Sequence, residues 1–366
     1  MKKQHFFYAL ILYVIAIFYL AVSTPISPHE AKIFYTTHDL VSTLMHWGDT
    51  ILSAPFFGFL GLRIFFIFFG FVSLILFYKL SRKYFIRDGD AYLSTMVFMF
   101  LPGILTGITL ANIAIIVLPI VLLFVLLYEK KQYALLPLLM LVLFFIHEAS
   151  IIFFMAIFLY GLVHKDKKLS IAAAAFLLVF MYLAKGIEIG GRPSGHFVEI
   201  FGLYASVFSP LLFLYFFYAM YRILLREKKN LLWYISFTAL ALSLLLSLRQ
   251  RVYITDFAPY VMISIVLMLD TLNHSVRVRL PEFQKHYKQG FYVVMGFLAL
   301  SASIIIFHKA SYLLMDKPKK HFAKRIYEPY YLALELKKDE VSCYDKARGR
   351  ERYQLRYYGI LLCRGF

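Results

Sequence analysis

The segment Ile26–Gly48, ISPHEAKIFYTTHDLVSTLMHWG, decides how the rest of the chain is arranged. It follows directly on the first long apolar stretch, so we expect it to be the first part of the chain outside the membrane. Apolar positions recur at steps of three and four residues, which is typical of an amphipathic helix. The stripe comprises Ile33, Phe34, Thr37, Leu40, Val41, Leu44 and Met45. We therefore predict one external amphipathic helix over residues 28–46.

The beginning of this helix is well marked. Ser27 fits the N-cap, Pro28 fits the first helical position, and Glu30 lies three residues after the cap, as in a capping box. Glu30 also heads the apolar stripe, one turn before Ile33, so its carboxylate should point toward the protein or the membrane. Two interpretations stay open, because a carboxylate in this place can be a helix cap or a catalytic group.

The composition identifies the class of protein. Of the 366 residues, 61% are hydrophobic and 19% are aromatic, and the mean hydropathy is +0.71. Many apolar runs approach the roughly 20 residues that cross a bilayer. The net charge of +18 is divided into short basic clusters between the apolar runs, which argues against a nucleic-acid partner. The sequence predicts an all-α polytopic membrane protein whose first span is an uncleaved signal anchor.

We predict about eleven spans, with an N-terminus in the cytoplasm. They cover residues 6–23, 62–79, 91–110, 112–128, 133–147, 149–164, 169–186, 200–222, 231–248, 254–272 and 291–308. With this arrangement 19 Lys and Arg residues fall in the cytoplasmic segments and 6 in the opposite loops, as the positive-inside rule requires. The C-terminal tail, which holds the other 14, is predicted to lie outside the cytoplasm.

The tail is the only long segment without membrane character. We predict a transmembrane domain over residues 1–309 and a small external domain over residues 310–366. Within the tail, the pattern favours a short helix near Tyr330–Leu336 and two strand-like pieces, Val341–Tyr344 and Gly359–Cys363. The two cysteines of the chain, Cys343 and Cys363, could pair in an oxidising compartment.

Three stretches resemble one enzyme family. They are Pro28-His-Glu-Ala-Lys32 after the first span, Leu62-Arg63 with Tyr78–Tyr84 around the second, and Ser247–Tyr253 running into Phe257-Ala-Pro-Tyr260. Their order resembles the polyprenyl-phosphate-dependent glycosyltransferases of the GT-C fold, in the protein O-mannosyltransferase and aminoarabinose transferase family. That family usually has Asp-Glu where this chain has His29-Glu30. A second acidic residue, usual after the third span, is not evident at Ala111-Asn112.

The resemblance implies a GT-C-like bundle and an enzyme of the inner membrane. Its donor would be a sugar on a polyprenyl phosphate, its acceptor an extracytoplasmic hydroxyl, and its reaction a single inverting displacement. Such chemistry needs a carboxylate to take the acceptor proton and cations to hold the leaving phosphate. Sequence alone favours a helix cap for Glu30, whereas the resemblance favours a general base. Asp39 is the second catalytic candidate.

The candidate phosphate ligands are arginines on the predicted external side. Arg249 and Arg251 flank a span end, and arginine matches phosphate oxygens in a bidentate way, although both could simply reach lipid headgroups. The further candidates for substrate binding are Arg63, Lys185, Arg192 and Tyr253.

His147-Glu148 lies between two adjacent spans and is either the tip of a hairpin or part of a substrate cavity. His29, His38, His46 and His196 could form a divalent-metal site with Glu30 or Asp39, but no ligand spacing is diagnostic. Two other functions stay open: an O-antigen polymerase or ligase, and a non-enzymatic transporter or flippase of lipid-linked sugars. The first is expected to carry its arginines in one long external loop, and the second to carry charges in mid-span.

The predicted topology can be tested with fusion reporters. A reporter placed after Phe366 should be active only outside the cytoplasm, and one placed near Lys167 only inside, because of the charge bias. Cytoplasmic activity at both positions would contradict the count of eleven spans.

Overall fold

The computed structural model describes residues 1–52, 57–183, 196–315 and 320–363. In these residues the regular structure is helical, apart from one isolated β-bridge between Cys343 and Leu361. The predicted all-α class is therefore confirmed. The helices of the first half are α1 Lys3–Ser23, α2 Pro28–Thr36, α3 Leu40–Ile51, α4 Ile64–Tyr84, α5 Asp88–Met99, α6 Pro102–Thr109, α7 Ile113–Glu129, α8 Leu136–Ile146, α9 Ile151–Val163 and α10 Lys167–Tyr182.

The second half continues in the same way. Its helices are α11 Phe197–Phe208, α12 Pro210–Arg226, α13 Leu231–Ser247, α14 Ile254–Met262, α15 Ile265–Arg277, α16 Pro281–Ile306, α17 His308–Leu314, α18 Lys324–Lys338 and α19 Glu351–Tyr357. Short 3-10 turns cover Gly61–Arg63, Tyr133–Leu135 and Glu148–Ser150.

Each predicted span is mostly helical where the structure describes it, but the spans over 91–110, 200–222 and 254–272 are each broken into two helices. Among the described residues, Lys3–Ser23, Gly61–Tyr84 and Pro281–Ile306 are long and apolar enough to cross a membrane, and three bent helix pairs would raise that number to six. The bend is 106° between α11 and α12 and 44° between α14 and α15. Shorter apolar helices account for most of the remaining predicted spans. The total of eleven stays a prediction.

The chain divides into two compact units. Unit 1 contains Met1–Tyr13, Phe69–Leu105 and Ile113–Ala302. Its α7 is buried on nearly all sides, as expected of a helix that is apolar all round. Phe124 of α7 packs edge to face against Phe153 of α9, with ring centroids 5.0 Å apart. Some hydroxyl groups buried in this unit form hydrogen bonds, such as that between Tyr204 and Ser243 at 2.8 Å.

Unit 2 contains Val14–Phe68, Thr106–Asn112 and Ser303–Phe366. It therefore joins the tail to helices α2 and α3. Gln354 in α19 donates a 2.8 Å hydrogen bond to the carbonyl oxygen of Ile26, and the hydroxyl group of Tyr357 donates one of 3.1 Å to Asp49. These contacts attach the tail to the segment before α2 and to α3.

The predicted single helix over residues 28–46 is wrong. The structure has two helices, because Thr37 adopts an extended backbone and Asp39 caps α3 by accepting a 2.8 Å hydrogen bond from the backbone N–H of Ser42. The apolar stripe continues across the break, and this continuity concealed it in the sequence. Phe34, Val41, Leu44 and Met45 are buried as expected, whereas Leu40 is exposed.

The tail differs from its predicted pattern in two ways. The helix expected near Tyr330–Leu336 is longer and covers Lys324–Lys338, and α19 was not predicted. The two strand-like pieces meet at one bridge and form no ladder, with a hydrogen bond of 2.8 Å from Tyr344 to Leu361. The predicted pairing of Cys343 and Cys363 is confirmed: the two cysteines form a disulfide bond with their Cα atoms 4.9 Å apart.

The disulfide should be detectable in protein made in an oxidising compartment. Because it closes a separation of 20 residues, reducing it should lower the free energy of unfolding of the tail by about 3 kcal/mol. Alkylation of denatured, unreduced protein should label neither cysteine, whereas Cys343→Ser should expose Cys363 to the reagent. Two reactive thiols in the unreduced wild type would contradict the pairing.

Candidate functional site

The best-defined polar site lies at the N-terminus of α2. Ser27 and Glu30 form the predicted capping box: the backbone N–H of Ser27 donates to Oε2 of Glu30 at 2.8 Å, and the backbone N–H of Glu30 donates to Oγ of Ser27 at 3.2 Å. The carboxylate is almost completely buried, with an exposed fraction of 1%. The expected cap and the expected inward orientation are both confirmed.

Arg63 forms a buried ion pair with this carboxylate. Its Nε donates to Oε1 of Glu30 and its Nη2 to Oε2, both at 3.0 Å, in a bidentate arrangement. The remaining N–H groups donate to the backbone carbonyl oxygens of Ala21 and Thr24, at 3.1 and 2.7 Å, and of Pro25, at 3.1 Å. All five N–H donors of the guanidinium group are therefore used within the protein.

The turn that carries Arg63 depends on a close backbone approach. Gly61 opens this turn and lies against Gly48 of α3. A Cβ atom at Gly48 would overlap the backbone carbonyl oxygen of Gly61. A side chain at Gly48 would push the turn away from α3. Two glycines thus fix the position from which Arg63 reaches Glu30.

The carboxylate of Glu30 also has all its hydrogen-bond acceptor positions occupied. Besides Arg63 and Ser27, it accepts a 2.9 Å hydrogen bond from the backbone N–H of Ala111. Burial by itself raises the pKa of Glu30, but the charge and hydrogen bonds of Arg63 and the N–H of Ser27 outweigh it, and the net pKa is lowered. An ionised carboxylate with four donors has no acceptor site left for a substrate proton. This geometry is that of an anchor, and the role of Glu30 as a general base stays a prediction.

The neighbouring His29 differs from Glu30 in its exposure. Its side chain is exposed, whereas that of Glu30 is buried. The surrounding protein nevertheless desolvates the ring, and the charges of Arg350 and Lys32 add to this effect, so the pKa of His29 is lowered despite the opposing charges of Glu30 and Asp39. A neutral, exposed imidazole is able to accept a proton. Sequence reasoning listed His29 only as a possible metal ligand.

Asp39 lies at the N-cap of α3 and is exposed. One of its carboxylate oxygens holds the helix cap, and it also acts on His29 electrostatically. His46 is used internally: its Nε2 donates a 2.9 Å hydrogen bond to the carbonyl oxygen of Phe34, and the two rings pack with centroids 3.8 Å apart. Among the described residues there is no cluster of three His, Cys, Asp or Glu side chains that could hold a metal ion.

Unit 1 carries the second group of predicted residues. Arg249, Arg251 and Tyr253 are exposed on the stretch between α13 and α14. Arg251 is paired with Glu199, since its Nε and Nη2 lie 2.7 and 2.6 Å from Oε1 of that carboxylate. Glu199 also accepts a 3.0 Å hydrogen bond from Nδ1 of His196. Glu199 is a partner that sequence reasoning missed.

The His147-Glu148 pair lies between α8 and α9, in the tight hairpin that was one of its two interpretations. Glu148 is exposed and opens the short 3-10 turn. Nε2 of His147 lies 3.4 Å from Oδ1 of Asp256 in α14, so the hairpin tip contacts the residues that follow Tyr253. Lys185 and Arg192 lie outside the described residues.

Comparison with known proteins identifies the fold. No protein-family model and no curated protein sequence matches this chain. The crystal structure of ArnT from Cupriavidus metallidurans in the apo state matches with a TM-score of 0.54, over 95% of this chain and 84% of that chain. The chain has the GT-C fold. At 11% sequence identity this likeness concerns the fold alone, and it confirms the architecture that the sequence resemblance implied.

The Glu30–Arg63 pair should be essential for stability. Glu30→Gln keeps the shape but leaves the buried guanidinium group without a counter-charge, and Arg63→Met leaves the carboxylate without one, so each should lower the free energy of unfolding by about 3–5 kcal/mol. Lys32→Gln, an exposed change on the same helix, should stay within about 0.5 kcal/mol. Denaturant titration of the purified protein measures all three.

The double variant with both changes distinguishes an ion pair from two independent contacts. Neither partner is then left with an unpaired charge. The double variant should therefore lower the free energy of unfolding by clearly less than the sum of the two single losses. Strictly additive losses would contradict the proposed coupling.

Proposed function

We propose that this chain is a glycosyltransferase of the inner membrane, which transfers a sugar from a polyprenyl-phosphate donor to an extracytoplasmic lipid, glycan or protein acceptor. The observation that carries the proposal is the GT-C fold, which the chain shares with ArnT over nearly its whole length. The sequence motifs around Glu30, Arg63 and Arg251 resemble enzymes that use such donors, and they support the same class of reaction.

The reaction makes defined demands on the protein. The acceptor hydroxyl attacks the anomeric carbon, the bond from that carbon to the phosphate oxygen breaks, and the electron pair leaves with the phosphate. A base takes the proton of the hydroxyl group, and cations stabilise the charge that develops on the phosphate. The exposed arginines of unit 1 are cations of this kind, and the exposed imidazole of His29 is a base of this kind.

Arg249 and Arg251 are the proposed phosphate ligands, with Tyr253 next to them. The pair formed by Arg251 and Glu199 is exposed, and exposed ion pairs contribute only about 0–1 kcal/mol. A phosphate group, which accepts bidentate hydrogen bonds from arginine, can therefore replace Glu199 at little cost. We do not propose Arg63 for this role, because its N–H donors are used within the protein.

The proton acceptor is proposed to lie on the exposed side of the α2 N-terminus. Sequence reasoning put forward Glu30 and Asp39. Because the oxygens of Glu30 are occupied and its pKa is lowered, we propose that it holds α2 in place while the imidazole of His29 accepts the proton. The negative charge of Asp39 acts to raise the pKa of His29, against the larger effects that lower it. Asp39 would therefore favour the imidazolium cation that forms.

The role of Arg251 can be tested by sugar transfer in liposomes, measured per folded molecule, with donor binding measured separately on a panel of polyprenyl-phosphate sugars. Arg251→Ala should weaken donor binding and lower turnover by about 10²-fold, because the phosphate is charged in the ground state and gains charge as the bond breaks. Arg82→Ala is the matched control, since Arg82 is also exposed and paired with a carboxylate, that of Asp88, on the predicted cytoplasmic side.

The same assay separates the two proton acceptors. His29→Gln should leave donor binding intact and reduce turnover by about 10²-fold, whereas Glu30→Gln should reduce the amount of folded protein. In the wild type, turnover should fall as the pH drops through the lowered pKa of His29, because the protonated ring cannot accept a proton. Unchanged turnover in His29→Gln would return the catalytic assignment to Asp39.

Movement of the intact lipid-linked sugar without transfer would indicate a transporter, and extension of a glycan chain would indicate a polymerase.

A further inference from the structure

A charged cavity of about 850 Å³ lies in unit 1, at the C-terminal ends of α12 and α15. Its basic lining residues include Arg222, Arg226, Lys228 and Arg279, and its acidic ones are Glu227 and Asp270. The charge bias of the sequence assigns these helix ends to the cytoplasmic side. The cavity is not part of either group of residues proposed above for sugar transfer.

The acidic groups of the cavity are already paired. Glu227 lies 3.3 Å from Nε of Arg222, which also donates to the hydroxyl group of Ser275, and Asp270 lies 3.7 Å from Nε2 of His274. Arg226, Lys228 and Arg279 form no ion pair with a described carboxylate. With four basic and two acidic side chains, and His274 neutral, the lining has a net charge of +2, which favours an anionic ligand.

A second cavity, of about 410 Å³ and nearly apolar, adjoins the first. It is formed by Tyr215 of α12, Leu272 of α15, and His286, Tyr287, Gly290, Phe291 and Val294 of α16. Tyr215 lies one helical turn from Tyr218, which lines the charged cavity, and the guanidinium group of Arg279 lies 3.7 Å from the centroid of the Tyr287 ring. The two cavities therefore present a cationic end next to an apolar end.

The apolar end lies beside α16, a helix predicted to cross the membrane. Helix α16 is long and apolar enough to span a membrane, yet most of its surface is exposed. Gly290 contributes to this opening, since a Cβ atom there would meet no other atom within 4 Å. A soluble anion would use only the cationic end. An amphiphile with a negative head and a hydrocarbon tail would fill both.

We propose that α12, α15 and α16 bind an anionic phospholipid of the cytoplasmic leaflet. Its phosphodiester contacts Arg226, Lys228 and Arg279, and one acyl chain lies in the apolar cavity beside Gly290 and Phe291. Arginine and lysine at a membrane surface bind anionic headgroups in this manner, with each charge adding to the affinity. This site is independent of the proposed sugar transfer.

The headgroup contacts can be tested on the full chain in nanodiscs of phosphatidylcholine with increasing phosphatidylglycerol, by counting retained phosphatidylglycerol with native mass spectrometry. The triple variant Arg226→Gln, Lys228→Gln, Arg279→Gln should bind phosphatidylglycerol at least about 10-fold more weakly. The matched control, Lys130→Gln, Lys131→Gln, Lys165→Gln, removes the same charge from exposed sites outside the cavity and should bind normally. Equal retention by both triple variants would overturn the proposal. Thermal unfolding in pure phosphatidylcholine verifies that both are folded.

The contact with the acyl chain can be tested with its own matched pair of variants. Gly290→Leu fills the apolar cavity and should weaken phosphatidylglycerol binding about 5-fold, whereas Gly296→Leu, on the same helix and equally open, should not. Inorganic phosphate serves as the free-anion probe. If it bound as tightly as the lipid, to the wild type and to Gly290→Leu alike, the site would be one for soluble anions and the lipid proposal would be wrong.

Discussion

The buried ion pair of Glu30 and Arg63 is the interaction on which unit 2 depends. It joins four separate pieces of chain: the end of α1 through its carbonyl oxygens, the first turn of α2, the turn before α4, and the N–H of Ala111. Removing two charges from water is costly, and a buried pair stabilises a protein only when its hydrogen bonds are complete. Here each donor and each carboxylate oxygen has a partner, so the cost is offset and the geometry is specific.

Because of this ion pair, Glu30 and His29 at the start of α2 differ in what they can do chemically. A saturated carboxylate with a lowered pKa cannot easily exchange protons, but it holds the backbone of its neighbours in one place. The adjacent His29 is exposed, and desolvation by the surrounding protein, together with the positive charges of Arg350 and Lys32, lowers its pKa. The tail contributes to the same region, because Gln354 and Tyr357, which lie within the loop closed by the disulfide, bind Ile26 and Asp49. The tail thereby packs beside the residues at the start of α2.

The arginines of unit 1 illustrate a different principle. Arg251 lies at the surface, where its bond to Glu199 is weak and exchangeable, whereas Arg63 is buried and permanently engaged. Both residues have the same sequence signature, an arginine at a span end on the predicted outer side. Their different environments make one suitable for binding a ligand and the other for holding the fold together.

The sequence by itself determined the membrane class, the positions of the apolar helices and the cap at Ser27 and Glu30, because hydropathy, helix periodicity and capping are local properties. It only suggested the pairing of the two cysteines, which the tertiary structure decided. It also supported the GT-C resemblance through short motifs. It did not reveal the break at Thr37, since an apolar stripe can continue across two helices. Nor could it pair Glu30 with Arg63, or Arg251 with Glu199, because these contacts join residues far apart in the chain and only packing decides them. The tertiary structure alone shows which charged groups are buried and saturated and which remain exposed to a substrate.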